Sequence, residues 1–167
     1  MSREIPGPYE PEQMRRFVDS YFYKEGAFFI DEVLRMDEDE GVVEAIVDTR
    51  RDLPISAQQR LDPGHPAHIS GGEMLMVTGC LGSLHAWFYY GCRWDEGWSG
   101  FGSRIHRADF KSLARIGPPL EVVSREKVAR LGPSRLVLRA TFEFRQEDRL
   151  VYRGDQTAMY FKERDLG

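Results

Sequence analysis

Apolar positions recur along this chain with a spacing that shifts from helical to alternating, and the order of those shifts outlines the fold. Near the start, Pro8 and Pro11 precede EQMRRFVDSYFYKE, where Met14, Phe17, Val18 and Tyr21 recur at helical spacing and predict a short amphipathic helix. Two stretches rich in β-branched and aromatic residues follow, AFFIDEVLRMD (27–37) and GVVEAIVDT (41–49). They are joined across the acidic EDEG and predict a hairpin. Residues 50–71 lose period and collect Pro54, Pro63, Gly64 and Pro66, which marks a long loop of the functional or disordered kind. From Gly72 to about Tyr89 the chain is apolar on nearly all faces, as a buried helix should be, and Gly79, Gly82 and Ser83 leave one side open to close packing. Four strand candidates complete the chain: SGFGSRIHRADF, PLEVVSREKVARL, SRLVLRATFEFRQ and LVYRGDQTAMYFK. The third alternates cleanly, with Leu136, Leu138, Ala140, Phe142 and Phe144 on one face and Arg139, Thr141, Glu143 and Arg145 on the other. No internal repeat or low-complexity segment interrupts the order.

Composition narrows the picture. A chain of 167 residues that is 41% hydrophobic and 12% aromatic suffices for one domain with a proper core and is short for two. A net charge of -4 gives no chain-wide basic field, and no local basic patch stands out, so a nucleic-acid partner is not expected. Cys80 and Cys92 make a poor disulfide framework, and Cys80 sits within the apolar run, where a reduced buried thiol is the simpler reading; a reducing cytoplasm fits best. The N-terminal MSREIPGPYEPEQ lacks the apolar run of a signal peptide. Residues 74–90 come nearest to a membrane span but carry Gly79, Gly82, Ser83 and His85 and lack the flanks, so none is expected. Four scattered histidines without a cysteine or carboxylate at ligand spacing argue against a metal.

Helix, two strands, long loop, buried helix and four strands make an α+β chain whose antiparallel sheet must wrap the long helix to bury it. In this order the chain resembles the hotdog fold over about residues 26–162, with residues 1–25 as an added N-terminal helical extension and 1–167 as a single domain. AHISGGEMLMVTG is similar to the loop-to-helix junction of hotdog acyl-thioester enzymes, where a histidine precedes the helix by a few residues. ADFKSLARIGPPLEV is similar to the segment where an aromatic on the third strand leads through a basic residue and a small turn into the next strand. The resemblance implies a homodimer or higher even-numbered oligomer, with sites between subunits and a pantetheine arm entering along the helix. It implies acyl-CoA or acyl carrier protein as partner, and no cofactor beyond what the substrate carries.

The chemistry of a thioester defines what the junction must provide. Attack places negative charge on the carbonyl oxygen, and amides at a helix N-terminus stabilise it. Gly71 and Gly72, lacking a Cβ, let a substrate approach the backbone and are the oxyanion candidates, with Ser70 beside them. The general acid or base is sought among His65, His68, Ser70 and Glu73, and the resemblance points to His68 first, with Glu73 second. Ser70-Gly71-Gly72-Glu73 also fits an S-x-x-E capping box, which gives Glu73 a structural role beside or instead of a chemical one. His65 reads as a loop residue, His85 as a satisfied helix histidine, and His106 as part of a strand's alternation. The aromatic group Trp87, Phe88, Tyr89, Tyr90, Trp94 and Trp98 reads as core and interface, or as an acyl tunnel. Arg104, Arg107, Lys111 and Arg115 form a solvated face, or contacts to coenzyme A phosphates or an acidic carrier.

Two hotdog reactions compete. Hydroxyacyl-thioester dehydratases pair the loop histidine with an acid about a turn and a half into the helix, where this chain reads MLMVTG and has none. The His68 and Glu73 spacing is instead similar to that of long-chain acyl-CoA thioesterases, so the leading expectation is an acyl-thioester hydrolase in which water, activated by His68 or Glu73, attacks the substrate. A dehydratase or hydratase is the alternative, followed by a non-catalytic module that binds an acyl chain or pantetheine.

Overall fold

Proline placement and aromatic clustering set the first element. The computed structural model describes residues 3–60 and 62–162. Helix α1 (Pro11–Ser20) carries its proline in the first turn, where the missing amide hydrogen would have no partner anyway, and buries Met14, Phe17 and Val18. It ends sooner than the periodicity predicts, because Tyr21 is extended and leaves the helix axis toward the central helix.

Six antiparallel strands follow: β1 (Glu32–Asp37), β2 (Val42–Val47), β3 (Trp98–Phe110), β4 (Leu120–Leu131), β5 (Arg135–Gln146) and β6 (Arg149–Lys162). They form one sheet in the order β1-β2-β4-β5-β6-β3. The β1–β2 hairpin turns at Gly41, whose φ of 62° lies in the left-handed region that glycine tolerates. The expected first strand is shorter than its apolar run. Phe28, Phe29 and Ile30 are buried without strand pairing, held by packing and by the guanidinium groups of Arg3 and Arg51, which donate to the carbonyls of Phe28 and, for Arg3, Ile30. The alternation in β5 is realised in full, with Leu136, Leu138, Ala140, Phe142 and Phe144 all buried.

The helix α2 (Gly71–Phe88) runs across the inner face of this sheet. Its apolarity on all sides has two causes. One side meets the sheet, and the other meets the N-terminal aromatics: Phe17 lies edge-on to Trp87, with ring centroids 5.4 Å apart, and edge-on to Phe28 at 5.2 Å. Each aromatic buried this way contributes on the order of 1.5–3 kcal/mol from area alone. Cys80 and Cys92 are free and buried.

The two sheet edges differ. At the β1 edge the Val33 amide donates to the Pro6 carbonyl at 2.8 Å, so the N-terminal segment covers part of it. The β3 edge has β6 as its one neighbour in the sheet, and Phe101, Ile105 and Phe110 on it are exposed. No helix among the described residues is long and apolar enough to cross a membrane.

One core expectation needs correction. His85 Nε2 lies 2.6 Å from the Ser124 hydroxyl, but its Nδ1 is buried without a hydrogen-bond partner among the described residues, so this histidine is only half satisfied. Burial pushes its pKa down to about 4, so it is neutral at pH 7.

Candidate active site

The start of α2 is a capping box. The Ser70 hydroxyl accepts from the Glu73 amide at 3.2 Å, and the Ser70 amide donates back to Glu73 Oε2 at 3.1 Å. The structure adds a second layer that the local pattern did not reveal. Glu73 Oε1 also accepts from the amides of Ile55 at 2.8 Å and Ser56 at 3.0 Å, while Oε2 accepts from the hydroxyls of Ser56 and Ser70. Glu73 is 1% exposed, so its carboxylate stitches the loop at 55–56 to the helix start. Burial alone would raise its pKa, but the hydrogen bonds from Ser56, Ile55 and Ser70 outweigh that and hold it below the usual carboxylate value.

The same box decides which helix amides remain available. An α-helix begins with orphan amides, and here Ser70 and Glu73 use theirs on each other's side chains. The Gly71 and Gly72 amides have no hydrogen-bond acceptor among the described residues. A Cβ on Gly71 would meet the Phe110 ring at 3.0 Å, and one on Gly72 would meet Ile55 Cδ1 at 3.3 Å. Phe110 and Ile55, both half exposed, therefore frame the two glycines.

His68 approaches this junction on a fixed backbone. The Gln59 side chain donates to the His68 carbonyl at 2.7 Å and accepts from its amide at 3.2 Å, and His68 also forms an isolated bridge to Arg115. Buried Gln146 holds the other side of that bridge, accepting from the Arg115 amide and donating to the carbonyls of Arg115 and Pro118, all at 2.8 Å. His68 Nδ1 lies 2.8 Å from the Pro66 carbonyl. A carbonyl only accepts, so Nδ1 donates and the neutral ring keeps its lone pair on Nε2. His65, exposed, packs edge-on against this ring at 5.0 Å.

Below the junction, an apolar cleft of about 200 Å³ runs between α2 and the strands β3, β5 and β6. On the helix it is lined by Leu75, Met76, Thr78, Gly79, Gly82 and Ser83, which begin one turn below Gly71 and Gly72. Of Gly79, Gly82 and Ser83, expected to let an element pack closely, Gly82 and Ser83 do so, with Tyr160 and Tyr21 close by, while Gly79 borders open space: a Cβ there would meet nothing within 4 Å. Among the described residues, no ionised side chain lines the cleft. Its polar groups include Thr78, whose hydroxyl lies 2.9 Å from Gln156 Oε1, and Gln156 donates in turn to the Tyr152 hydroxyl at 2.9 Å.

Several expected residues fall elsewhere. Trp87, Trp94 and Trp98 are buried, Phe88, Tyr89 and Tyr90 are partly buried, and none of the six lines the cleft; its aromatic walls include Tyr21, Phe22, Phe142 and Tyr160. Three of the four basic side chains are paired, with two carboxylates between them. Arg107 and Lys111 both pair with Asp109, and Arg115 pairs with Glu147, leaving Arg104 without an acidic partner among the described residues. Exposed His106 bonds the Thr157 hydroxyl at 2.8 Å. Ser56, Gln59 and Gln146, which fix Glu73 and the His68 bridge, carry no motif in the sequence and were missed; Ser56 and Gln59 lie in the long irregular loop, and Gln146 ends β5 with nothing in its pattern to mark it.

No protein-family model matches this sequence, and no curated protein sequence matches it. Solved structures do. A thioesterase of Haemophilus influenzae superposes with a TM-score of 0.56 at 16% identity, covering 97% of this chain and 96% of that one. The PaaI protein from the phenylacetic acid degradation operon of E. coli gives 0.55 at 16% identity, covering 88% and 92%. AziG of S. sahachiroi gives 0.53 at 23% identity, covering 78% and 90%. The six-stranded antiparallel sheet around one long helix, with an added N-terminal helix, is the hotdog fold these proteins share.

Proposed function

We propose that this chain hydrolyses acyl thioesters at the N-terminus of α2. The observation that carries the reading is the pair of free amides at Gly71 and Gly72, left open by the capping box one turn above an uncharged apolar cleft. The two amides receive the thioester carbonyl oxygen and stabilise the charge it gains, and the cleft takes the acyl group. His68, with its Nε2 lone pair open, withdraws a proton as a water oxygen bonds to the carbonyl carbon. The carbon–sulfur bond then breaks, and the proton passes from His68 to the departing thiolate. Glu73 is a positioning residue in this scheme. Its oxygens are occupied by five donors, so it holds the loop and helix start in register. Thioesterases with the same fold support the reaction class.

The substrate is an acyl-CoA or acyl carrier protein, with Arg104 the basic side chain least committed to a partner. The working form is a homodimer. The free β3 edge, with Phe101, Ile105 and Phe110 exposed along it, is the surface a second copy would cover.

The test is incubation of purified protein with a panel of acyl-CoA and acyl-carrier substrates, following free thiol and enoyl absorbance together. Thiol release supports hydrolysis. An intact thioester with changing enoyl absorbance overturns it in favour of a dehydratase, and binding without turnover favours a silent acyl-binding module.

A further inference from the structure

The cleft beside α2 is closed at its inner end by the N-terminal addition. Leu75 and Ser83, both on the cleft, are eight positions apart, about 12 Å along the helix at 1.5 Å per residue. At Ser83 the Tyr21 hydroxyl comes within 3.4 Å of the serine hydroxyl. Tyr160 stands on the neighbouring side, its hydroxyl 3.1 Å from where a Cβ on Gly82 would lie. Phe22 is wedged against Trp94 with ring centroids 4.3 Å apart, and Tyr23 lies 6.0 Å from the Tyr21 ring. α1 anchors this group, since Phe17 packs on Tyr21 as well as on Trp87 and Phe28. Residues of the N-terminal segment, ahead of β1, thus line this end of the cleft.

We propose that Tyr21, Phe22 and Tyr23 set the acyl length this protein accepts, by ending the cleft whose helix lining starts at Leu75, one turn below the Gly71–Gly72 junction. This rests on the thioesterase reading. A cavity of about 150 Å³ takes up the six carbons of benzene, so about 200 Å³ holds a chain of about eight carbons. The lack of ionised groups in the lining excludes acyl chains that end in a carboxylate, because such a charge would be buried unpaired.

The experiment is a length series of straight saturated acyl-CoAs, from about four to about sixteen carbons on the scale just given, with wild type, Tyr23→Ala and Gly79→Leu. Tyr23 is 56% exposed, so its removal spares the core, and Gly79 has open space in front of it. Leucine is also the better helix former, so Gly79→Leu should not lower the melting temperature. In wild type, kcat/KM should climb about fourfold per methylene as each is buried, then stop near eight carbons. Tyr23→Ala should move that limit to longer chains, and Gly79→Leu to shorter ones. Length profiles of both folded variants that superimpose on wild type overturn the proposal. If wild type releases no thiol from any member, the thioesterase reading fails on its own. The gate is then read by calorimetry with non-hydrolysable alkyl-CoA thioethers of the same lengths: a Tyr23→Ala shift in the affinity profile supports it, and an unmoved profile overturns it.

Discussion

Replacing Glu73 by glutamine separates the two roles its position allows, holding the junction or moving a proton. The carboxylate accepts from two loop amides on Oε1, and from the Ser70 amide and two hydroxyls on Oε2. Glutamine keeps one acceptor oxygen. Facing it toward Ile55 and Ser56 preserves those two bonds in weaker, neutral form and turns an NH2 group toward the serines. The hydroxyls can rotate to accept, while the Ser70 amide retains its 2.9 Å contact to the Ser56 hydroxyl. Bonds to a charged group contribute roughly 1.5–3 kcal/mol against about 1 for neutral ones, so the exchange should cost about 2–3 kcal/mol. In a chain of 167 residues that lowers the melting temperature by roughly 4–12 °C. As a positioning residue, Glu73→Gln should lower turnover less than about 10-fold below the melting range and leave the pH profile of kcat in place, whereas loss of a general base costs roughly 100-fold or more. The assays are thermal unfolding and thiol release from pH 5 to 9, the span of a typical buffer series around the histidine range. A variant with unchanged melting temperature and turnover down by about 100-fold would refute the argument and return Glu73 to the role of base.

Four further outcomes follow from the same geometry. His68→Ala should lose about 100-fold or more in turnover with little change in stability, since its backbone bonds to Gln59 survive; full retention would move the base elsewhere. Gly72→Val should fold, because the nearest obstacle is the mobile tip of Ile55, yet turnover should fall by about 100-fold as the new methyls obstruct the approach to the amide. Acidification should expose His85. Its folded pKa of about 4 lies below its ordinary 6.5, so the unfolded state gains a proton first and stability falls from pH 6.5 down to pH 4, by roughly 3 kcal/mol in all. Urea unfolding of His85→Gln, which lacks that proton site, should show a shallower pH slope; parallel curves would refute the assignment. Light scattering should find a dimer at micromolar concentration, and Ile105→Glu on the open edge should shift it toward monomer.

The sequence alone carried the element order, because each element's period follows from which side meets the core. The alternation of β5, the all-round apolarity of α2 and the Ser70–Glu73 cap are local patterns, and the structure reproduces each. Where local patterns ended, so did legibility. Phe28 to Ile30 read as strand from composition, but burial against Phe17 and the central helix, and not pairing, fixes them. The aromatics around the C-terminus of α2 read first as core, with a tunnel as the alternative; Trp87, Trp94 and Trp98 are core, and the cleft is walled instead by Tyr21 and Phe22 from one end of the chain and Tyr160 from the other, which only chain folding brings together. The partners of Glu73 beyond Ser70, which are Ile55 and Ser56, lie 17–18 residues upstream in an aperiodic loop, and Gln146 reaches Arg115 across 31 residues. The glycine junction was visible in advance because the Ser70–Glu73 cap is a local motif, whereas longer-range hydrogen-bond complementarity leaves no periodic trace in sequence. The clamps that hold the junction, and the chamber it opens onto, were decided by tertiary contacts alone.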